Sequence, residues 1–262
     1  MQRIKKDKII STQPFSGKTA VITGASSGIG MATALALAQN GAAVVINARR
    51  KDRLDKLSKE ILSAGGKALV VPGDAGRVPD IERLLKDTLD WKEGGRKYDF
   101  VIVNAGRGIA GGLMTSDESV WEDIYRINVL GAAHLMRRAA KYMVQEKRGS
   151  IVAVGSVVGR HVSPFSSFYG SSKFAITAVA EGLRREVAPA GVRVSVVMPG
   201  IVLSGFQDVA GYTQENFGKN VAQFGKLLEP QAIADGIVWL LSQPPHVNVS
   251  EIMIRPTGQT YP

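Results

Sequence analysis

Tyr169 and Lys173 bound the segment "YGSSK" and stand four residues apart in a stretch of helical composition, a spacing that puts both side chains on one helix face. A phenol and an ammonium so placed can move a proton. Free tyrosine, with a pKa of about 10, is a poor base at neutral pH. A neighbouring cation favours the phenolate and typically lowers such a pKa by about 1–3. Tyr169 is therefore a candidate general acid, and a base for the reverse step, titrating below free tyrosine. A second stretch, "TGASSGIG" from Thr23 to Gly30, lies between the apolar run Ala20–Ile22 and the Ala/Leu-rich run Met31–Ala38. Gly24 lets the chain turn sharply, Gly28 lets phosphate oxygens come close, and Gly30 lets the helix pack on the sheet. The helix start offers free N–H groups and the positive end of its dipole to an anion. A purely structural turn would use the same glycines.

These groups need a scaffold, and the chain supplies one in alternating segments. Strand candidates are Thr19–Thr23, Ala42–Asn47, Ala68–Val71, Phe100–Val103, Ser150–Val154, Arg193–Met198 and Glu251–Ile254. Helical segments separate them, several stopped by a glycine such as Gly41, Gly65 or Gly149. Strands alternating with crossover-length helices predict an α/β fold with a seven-stranded parallel sheet, doubly wound because the crossovers are right-handed. The strands lack polar alternation, as expected when helices cover both faces. No linker divides the chain, so residues 17–262 read as one domain and 1–16 as a basic N-terminal arm.

Composition removes several function classes. There is no cysteine among the 262 residues, which excludes disulfides and thiolate metal sites. His134, His161 and His246 lack ligand-like spacing, so no metal site is expected. No apolar run approaches the roughly 20 residues of a bilayer span, and the start lacks the apolar stretch of a signal peptide; a cytoplasmic protein is expected. The net charge of +10 suggests an anionic partner such as a phosphorylated cofactor, or simply a solvated basic surface. No nucleic-acid motif stands out, and the arm reads as a tail rather than a reader of DNA.

The glycine spacing G-x-x-x-G-x-G departs from the general dinucleotide fingerprint and resembles that of the short-chain dehydrogenase/reductase family, in its NADP-preferring subgroup. Further motifs carry the resemblance: Asn104-Ala105-Gly106 after "FVIV", Asp74 in "VVPGDAG", Asn128 in "YRINVLGA", Ser156 after "IVAVG", Tyr169 and Lys173 in "YGSSK", and "MPGIVLS" after the sixth strand. Val103 replaces the family's usual extra asparagine, and Ser204 replaces a threonine. The resemblance implies a Rossmann-type domain in which Ser156 holds the substrate oxygen where charge develops. It also implies that Asn128 holds a water in a proton relay, that Lys173 binds the nicotinamide ribose and that Asp74 contacts the adenine. A buried asparagine can alternatively just tie two backbone segments together. The implied cofactor contacts are Gly24, Ser26, Ser27, Gly28, Ile29, Gly30, Arg49, Arg50, Asp74, Asn104, Ala105, Gly106, Tyr169, Lys173, Pro199, Gly200, Val202 and Ser204. Dimers through the helices carrying Asn128 and Tyr169, and tetramers built from them, are implied as well.

The end of strand two selects the cofactor. An acid there would bond the ribose hydroxyls of NAD and repel a 2′-phosphate. In "VVINARRKDRL" Ala48 takes that position, and Arg49 and Arg50 follow with donor forks that fit phosphate. NADP(H) is expected, with Arg49 as the better contact and Arg50 as a possible solvated residue at the helix start; Ser27 stands where many NADP-preferring relatives carry a second basic residue. A stretch of about 204–229 reads as a substrate lid. In it Phe206, Tyr212, Phe217 and Phe224 either line an apolar pocket or pin the lid. Arg107, Arg160 and His161 are loop residues that either pair with a substrate anion or are merely solvated.

The leading expectation is an NADP-dependent carbonyl reductase or alcohol dehydrogenase acting on a small polar or hydroxy-acid-type substrate, with an aldehyde, a ketone or a 3-oxo acid as the carbonyl, as the resemblance of "VNVSEIMIRPTGQ" to one branch of the family implies. The second is a 3-oxoacyl-carrier-protein reductase, whose acidic carrier would dock on Arg137, Arg138, Lys141, Lys147 and Arg148. A third is an NADP-binding regulator without turnover.

Overall fold

The computed structural model describes residues 13–213, 218 and 222–261. Its seven strands are β1 (Thr19–Thr23), β2 (Ala43–Asn47), β3 (Lys67–Val70), β4 (Phe100–Val103), β5 (Ser150–Val154), β6 (Arg193–Pro199) and β7 (Glu251–Ile254). Each lies within two residues of its expected bounds. They form one parallel sheet in the order β3-β2-β1-β4-β5-β6-β7, with β1 and β4 adjacent through pairs such as Val21 with Val101. The connection leaving β1 runs outward to β2 and that leaving β4 to β5, so a crevice opens where the order reverses, above the carboxyl ends.

Helices α1 (Gly28–Gln39), α2 (Lys51–Ser63) and α3 (Val78–Asp90) follow the first three strands. α4 (Trp121–Tyr125) runs through a π-helical turn, Arg126–Gly131, into α5 (Ala132–Gln145). α6 (Ser167–Val187) crosses from β5 to β6, and α7 (Phe206–Ala210) and α8 (Pro230–Leu241) from β6 to β7. β1, β2, β4 and β5 are buried along their whole length, which explains their unbroken apolar runs. One core lies between the sheet and α3, α5 and α6, around Leu84, Leu135, Met143 and Ile176. Another lies beneath α1, α2 and α8, around Leu37, Leu54, Ile61 and Ile237. α1 meets α8 through Ala32, Ala36 and Ala234, small side chains that let the two helices approach closely.

The domain begins earlier than expected. Gln13 to Ser16, assigned to the arm, are folded against it: Phe15 is 3% exposed and its ring stacks edge-on against Phe100 at 5.2 Å. A single aromatic among basic residues gave no periodicity from which to extend the domain. Residues 1–12 lie outside the described residues.

Gly24 and Gly30 perform the two tasks glycine is suited to. Gly24 turns with φ +69, a conformation that L side chains avoid. A Cβ on Gly30 would press into the Gly24 carbonyl and the Asn104 amide. Gly30 thus serves close packing as expected, but against the β1 turn rather than the sheet. Gly30→Ala should therefore lower unfolding free energy by about 1–3 kcal/mol, the usual cost of overpacking. Gly182 is exposed in α6 with nothing near its missing Cβ, and Gly182→Ala should raise stability by about 0.5–1 kcal/mol. Urea denaturation of the two variants checks the pair; shifts of the same sign would contradict it.

Candidate active site

A cavity of about 750 Å³ follows the carboxyl ends of the strands from Gly73 and Asp74 past Gly24 and Asn104 to Pro199 and Val202. Of the expected site residues, Gly30 and Asn128 stand back from its wall and all the others line it.

The β1 turn is fastened to β4. Thr23 Oγ1 accepts from the backbone N–H of Asn104 and of Ala105, both at 3.1 Å, and Asn104 Nδ2 donates to the Thr23 carbonyl at 2.9 Å. Asn104 thus holds the turn in shape while lining the cavity. Gly28 opens α1 with φ +54, and a Cβ there would lie 3.2 Å from that of Ser204, so the loop after β6 closes down on the glycine turn. Ser204 Oγ accepts from Phe206 N at 3.3 Å and starts α7.

At the β2 end, Arg50 Nη2 donates to Ser26 Oγ at 3.0 Å and Ser27 Oγ at 3.2 Å. Arg50 is therefore not an ordinary solvated residue, as the sequence allowed; it places its guanidinium over the glycine turn, beside Ser27. Arg49 lines the cavity too, without an internal partner among the described residues, as does Arg53, one helical turn after Arg50. Arg53 was missed, although the spacing in "RRKDR" indicates it. Asp74 accepts from Arg126 Nη1 at 3.1 Å and from the Gly76 amide at 2.8 Å. Arg126, also missed, carries no sequence signal beyond its charge.

At the other end Tyr169 is 9% exposed at the start of α6. Burial pushes its phenol above the ordinary value, the nearby Tyr212 adds to the rise, and a hydrogen bond with Ser156 opposes it. Lys173, equally buried, is pushed down to about 8 by the same loss of water. Its Nζ donates to the Val154 carbonyl at 2.8 Å and lies 5.7 Å from the Tyr169 ring centre. The expected depression of Tyr169 by Lys173 is therefore not found: burial is the largest influence on both groups and drives each toward its neutral form. Ser156 caps a 3₁₀ turn, accepting from Val158 N at 3.3 Å.

Asn128 is buried within the π-helical turn. Its Oδ1 accepts from Arg107 N at 2.8 Å, and its Nδ2 donates to the Arg107 carbonyl at 2.8 Å and to Ser172 Oγ at 3.0 Å. It ties the loop after β4 to α6, the plainer of the two roles its type allows. Arg107 in turn donates from Nη1 to Asp123 at 2.8 Å, while its Nε is buried without a partner. Burial would raise the Asp123 carboxyl, but hydrogen bonds from Arg107 and Arg126 outweigh it and hold the group below its usual range.

Arg160 and His161 do not reach the cavity: Arg160 pairs with Glu251 and the His161 ring sits 3.3 Å from Arg255. Phe206, Tyr212 and Phe224 line it, and Phe217 lies outside the described residues. The C-terminal tail forms an unexpected wall through Gln259, Thr260 and Tyr261, with Gln259 Oε1 accepting from Ile201 N at 3.0 Å. Nothing local in "PTGQTYP" marks it, because the contact depends on a return from β7.

Comparison with known proteins agrees with this geometry. A family model described as short chain dehydrogenase matches residues 18–214. An uncharacterized oxidoreductase of Staphylococcus epidermidis is 34% identical over 239 residues, 91% of this chain and 97% of its own. An alcohol dehydrogenase from the archaeon Thermococcus sibiricus, solved with 5-hydroxy-NADP, superposes with a TM-score of 0.81 at 30% identity, covering 94% of this chain and 99% of that one. A metagenomic short-chain oxidoreductase solved with NADP gives 0.77 at 30% identity, covering 93% and 99%. With a buried tyrosine–lysine pair beside a glycine turn at the switch point of a seven-stranded parallel sheet, the chain belongs to the short-chain dehydrogenase/reductase family of oxidoreductases.

Proposed function

We propose that the protein is an NADP(H)-dependent oxidoreductase that interconverts a carbonyl and an alcohol, with Tyr169 as general acid and base. The observation that carries this reading is the buried Tyr169 phenol, bonded to Ser156 and one helical turn from Lys173, on the wall of the cavity. The residues present fit such a cofactor. Gly24, Ser26, Ser27 and Gly28 line the cavity at the start of α1, where backbone amides would meet a pyrophosphate, and Arg49, Arg50 and Arg53 gather where Ala48 replaces an acid. The bound nicotinamide supplies or accepts the hydride. Tyr169 gives its proton to the carbonyl oxygen, Ser156 hydrogen-bonds that oxygen as charge develops, and Lys173 stands behind Tyr169 on a dry helix face. Asn128 holds the backbone against which these groups are set, and by family likeness also a relay water. Exposed Leu130 and Val144 near or on α5, with Phe174 and Val179 on α6, support these helices as a dimer face.

The carrier-protein reductase reading loses ground. Arg138 pairs with Glu82, and Arg148 with Asp99 and Glu146 just before the start of β5, at the edge opposite the cavity. A regulator without turnover has no use for a buried proton donor. A cytoplasmic location remains the working assumption; no helix among the described residues is long and apolar enough to cross a membrane.

Three outcomes test the reading. Arg50→Ala should weaken NADPH by about 1.5–3 kcal/mol, a charged hydrogen-bond partner's worth, and leave NADH little changed; Arg49→Ala should do the same more weakly. Fluorescence titration that finds equal losses for both cofactors would remove the 2′-phosphate assignment.

Tyr169→Phe keeps the ring and its packing and removes only the hydroxyl. Turnover should fall at least about 10²-fold with NADPH affinity retained. Near-equal single-turnover hydride transfer at saturating cofactor would place the acid elsewhere.

The buried ammonium also predicts a pH-dependent stability. Lys173 is lowered to about 8 from 10.5. Between those values the unfolded chain binds the extra proton, so the stability of the cofactor-free enzyme rises with pH. Below about 8 both states hold the proton and the contribution is flat. Urea unfolding at about pH 7.5 and about 9, where free tyrosines are still mostly protonated, should show this rise in the wild type. Lys173→Met should lack it, and an equal rise in both would refute the assignment.

A further inference from the structure

We propose that the substrate is an uncharged carbonyl compound bearing a sizeable alkyl or aryl group, so that of the aldehydes, ketones and 3-oxo or hydroxy acids that the sequence left open the acids are excluded; this rests on the reductase reading above. Beyond Tyr169 the cavity wall is built from Val157, Val158, Phe165, Phe206, Val209 and Phe224. The Phe206 ring lies 5.6 Å from that of Tyr169, so the apolar wall begins at the reacting group itself.

The mouth is apolar as well. Ala110 N donates to the Ala210 carbonyl at 2.7 Å, Gly112 abuts the Pro164 carbonyl, and the Tyr261 hydroxyl donates to the Val162 carbonyl. The loops after β4, β5 and β6 and the C-terminal tail therefore meet around one opening. On those same loops Met114 is 93% exposed and Val162 71%, while Phe165 and Val209 line the cavity and are each 58% exposed. Apolar side chains left in water around a cavity mark a place where apolar matter docks.

Several polar groups at this end are already engaged. Ser163 Oγ accepts from Phe165 N at 3.3 Å, Ser166 is bonded to Tyr212, and Gln207 joins the Val202 carbonyl to Ser204 N. Among the described residues the cations that reach the cavity here are Arg107, which is paired with Asp123 and whose unpartnered Nε is buried, and Lys173, whose Nζ donates to the Val154 carbonyl. Arg160 and His161 are held by Glu251 and beside Arg255, away from the wall. A carboxylate seated against these apolar side chains would lose its water, and among the described residues the one cation there that no carboxylate pairs, Lys173, stands behind Tyr169 with its Nζ bonded to the Val154 carbonyl, so the exchange is unfavourable. A neutral carbonyl needs partners only at its oxygen, where Tyr169 and Ser156 stand.

The test is a matched series of 3-oxo acids and their methyl esters with increasing alkyl length. NADPH oxidation reads kcat/KM, and calorimetry reads binding of the same compounds to wild-type protein loaded with NADP+, in which reduction cannot occur. Each ester should exceed its acid at least about tenfold. The ester series should climb by about fourfold per methylene until the cavity fills, the fold-change that burying one CH₂ corresponds to. An acid as good as its ester, or a flat length series, overturns the proposal and leaves the reductase reading standing. No reduction of any compound, with the same ester and length preference in binding, supports the pocket assignment and removes the reductase reading. No reduction and no preference in binding overturns both.

Discussion

Two turns have to share one space where β1 and β4 lie side by side, and the rest of the site depends on how they do it. The crossovers from these strands leave in opposite directions, which opens the crevice but leaves backbone groups of both turns facing one another. The Thr23 hydroxyl accepts from two successive amides after β4, and Asn104 returns its side-chain amide to the β1 turn. These bonds join the two strand ends into one piece. This is also why Gly30 cannot carry a side chain: the space it would fill belongs to the Gly24 carbonyl and Asn104. The first turn of α1, which would face an anion, is therefore held by the same atoms that hold the loop leading to Arg107.

At the far end of the crevice, burial sets the chemistry. Tyr169 and Lys173 both sit on one face of α6 with little water, and each is driven toward its neutral form. A phenol held protonated is the form a proton donor needs. An amine near 8 is poised to respond to whatever charge is placed beside it. The attraction between the two, expected from a spacing of four residues, governs neither group; the loss of hydration that the same helix imposes does. Spacing reports adjacency; only the packed structure reports the dielectric.

That difference also explains what could be read in advance. The seven strands were legible because a parallel sheet covered on both faces demands unbroken apolar runs, and each was found within two residues. Tyr169, Lys173, Ser156 and the glycine turn were legible because their chemistry depends on type and local spacing. Contacts made by chain return were not. Phe15 under β4, the tail at Gln259 and the pairing of Arg160 with Glu251 join residues far apart in sequence, and nothing near them announces a partner. Arg50 lay between the two cases. Its position after β2 was visible, but its turn toward Ser26 and Ser27 was not.

The contacts that no motif marked form a continuous run along one side of the cavity. Asp74 at the end of β3 is bonded to Arg126, Arg126 to Asp123, and Asp123 to Arg107. The backbone of Arg107 is clasped by Asn128, which reaches Ser172, and Ser172 donates to the Tyr169 carbonyl at 2.7 Å. The ion pairs in this run are partly exposed, and pairs of that kind contribute little to stability. Their effect is positional. Both oxygens of Asp123 are engaged by guanidinium groups that point to opposite ends of the crevice, so one carboxylate sets the placement of Asp74 and of the Arg107 loop together. The π-helical turn carries both groups, Arg126 at its start and Asn128 two residues later, a spacing that sends the two side chains to different faces of a helix. Arg126 reaches Asp74 while Asn128 reaches inward, and the two ends of the cavity are set by neighbouring residues of one helix.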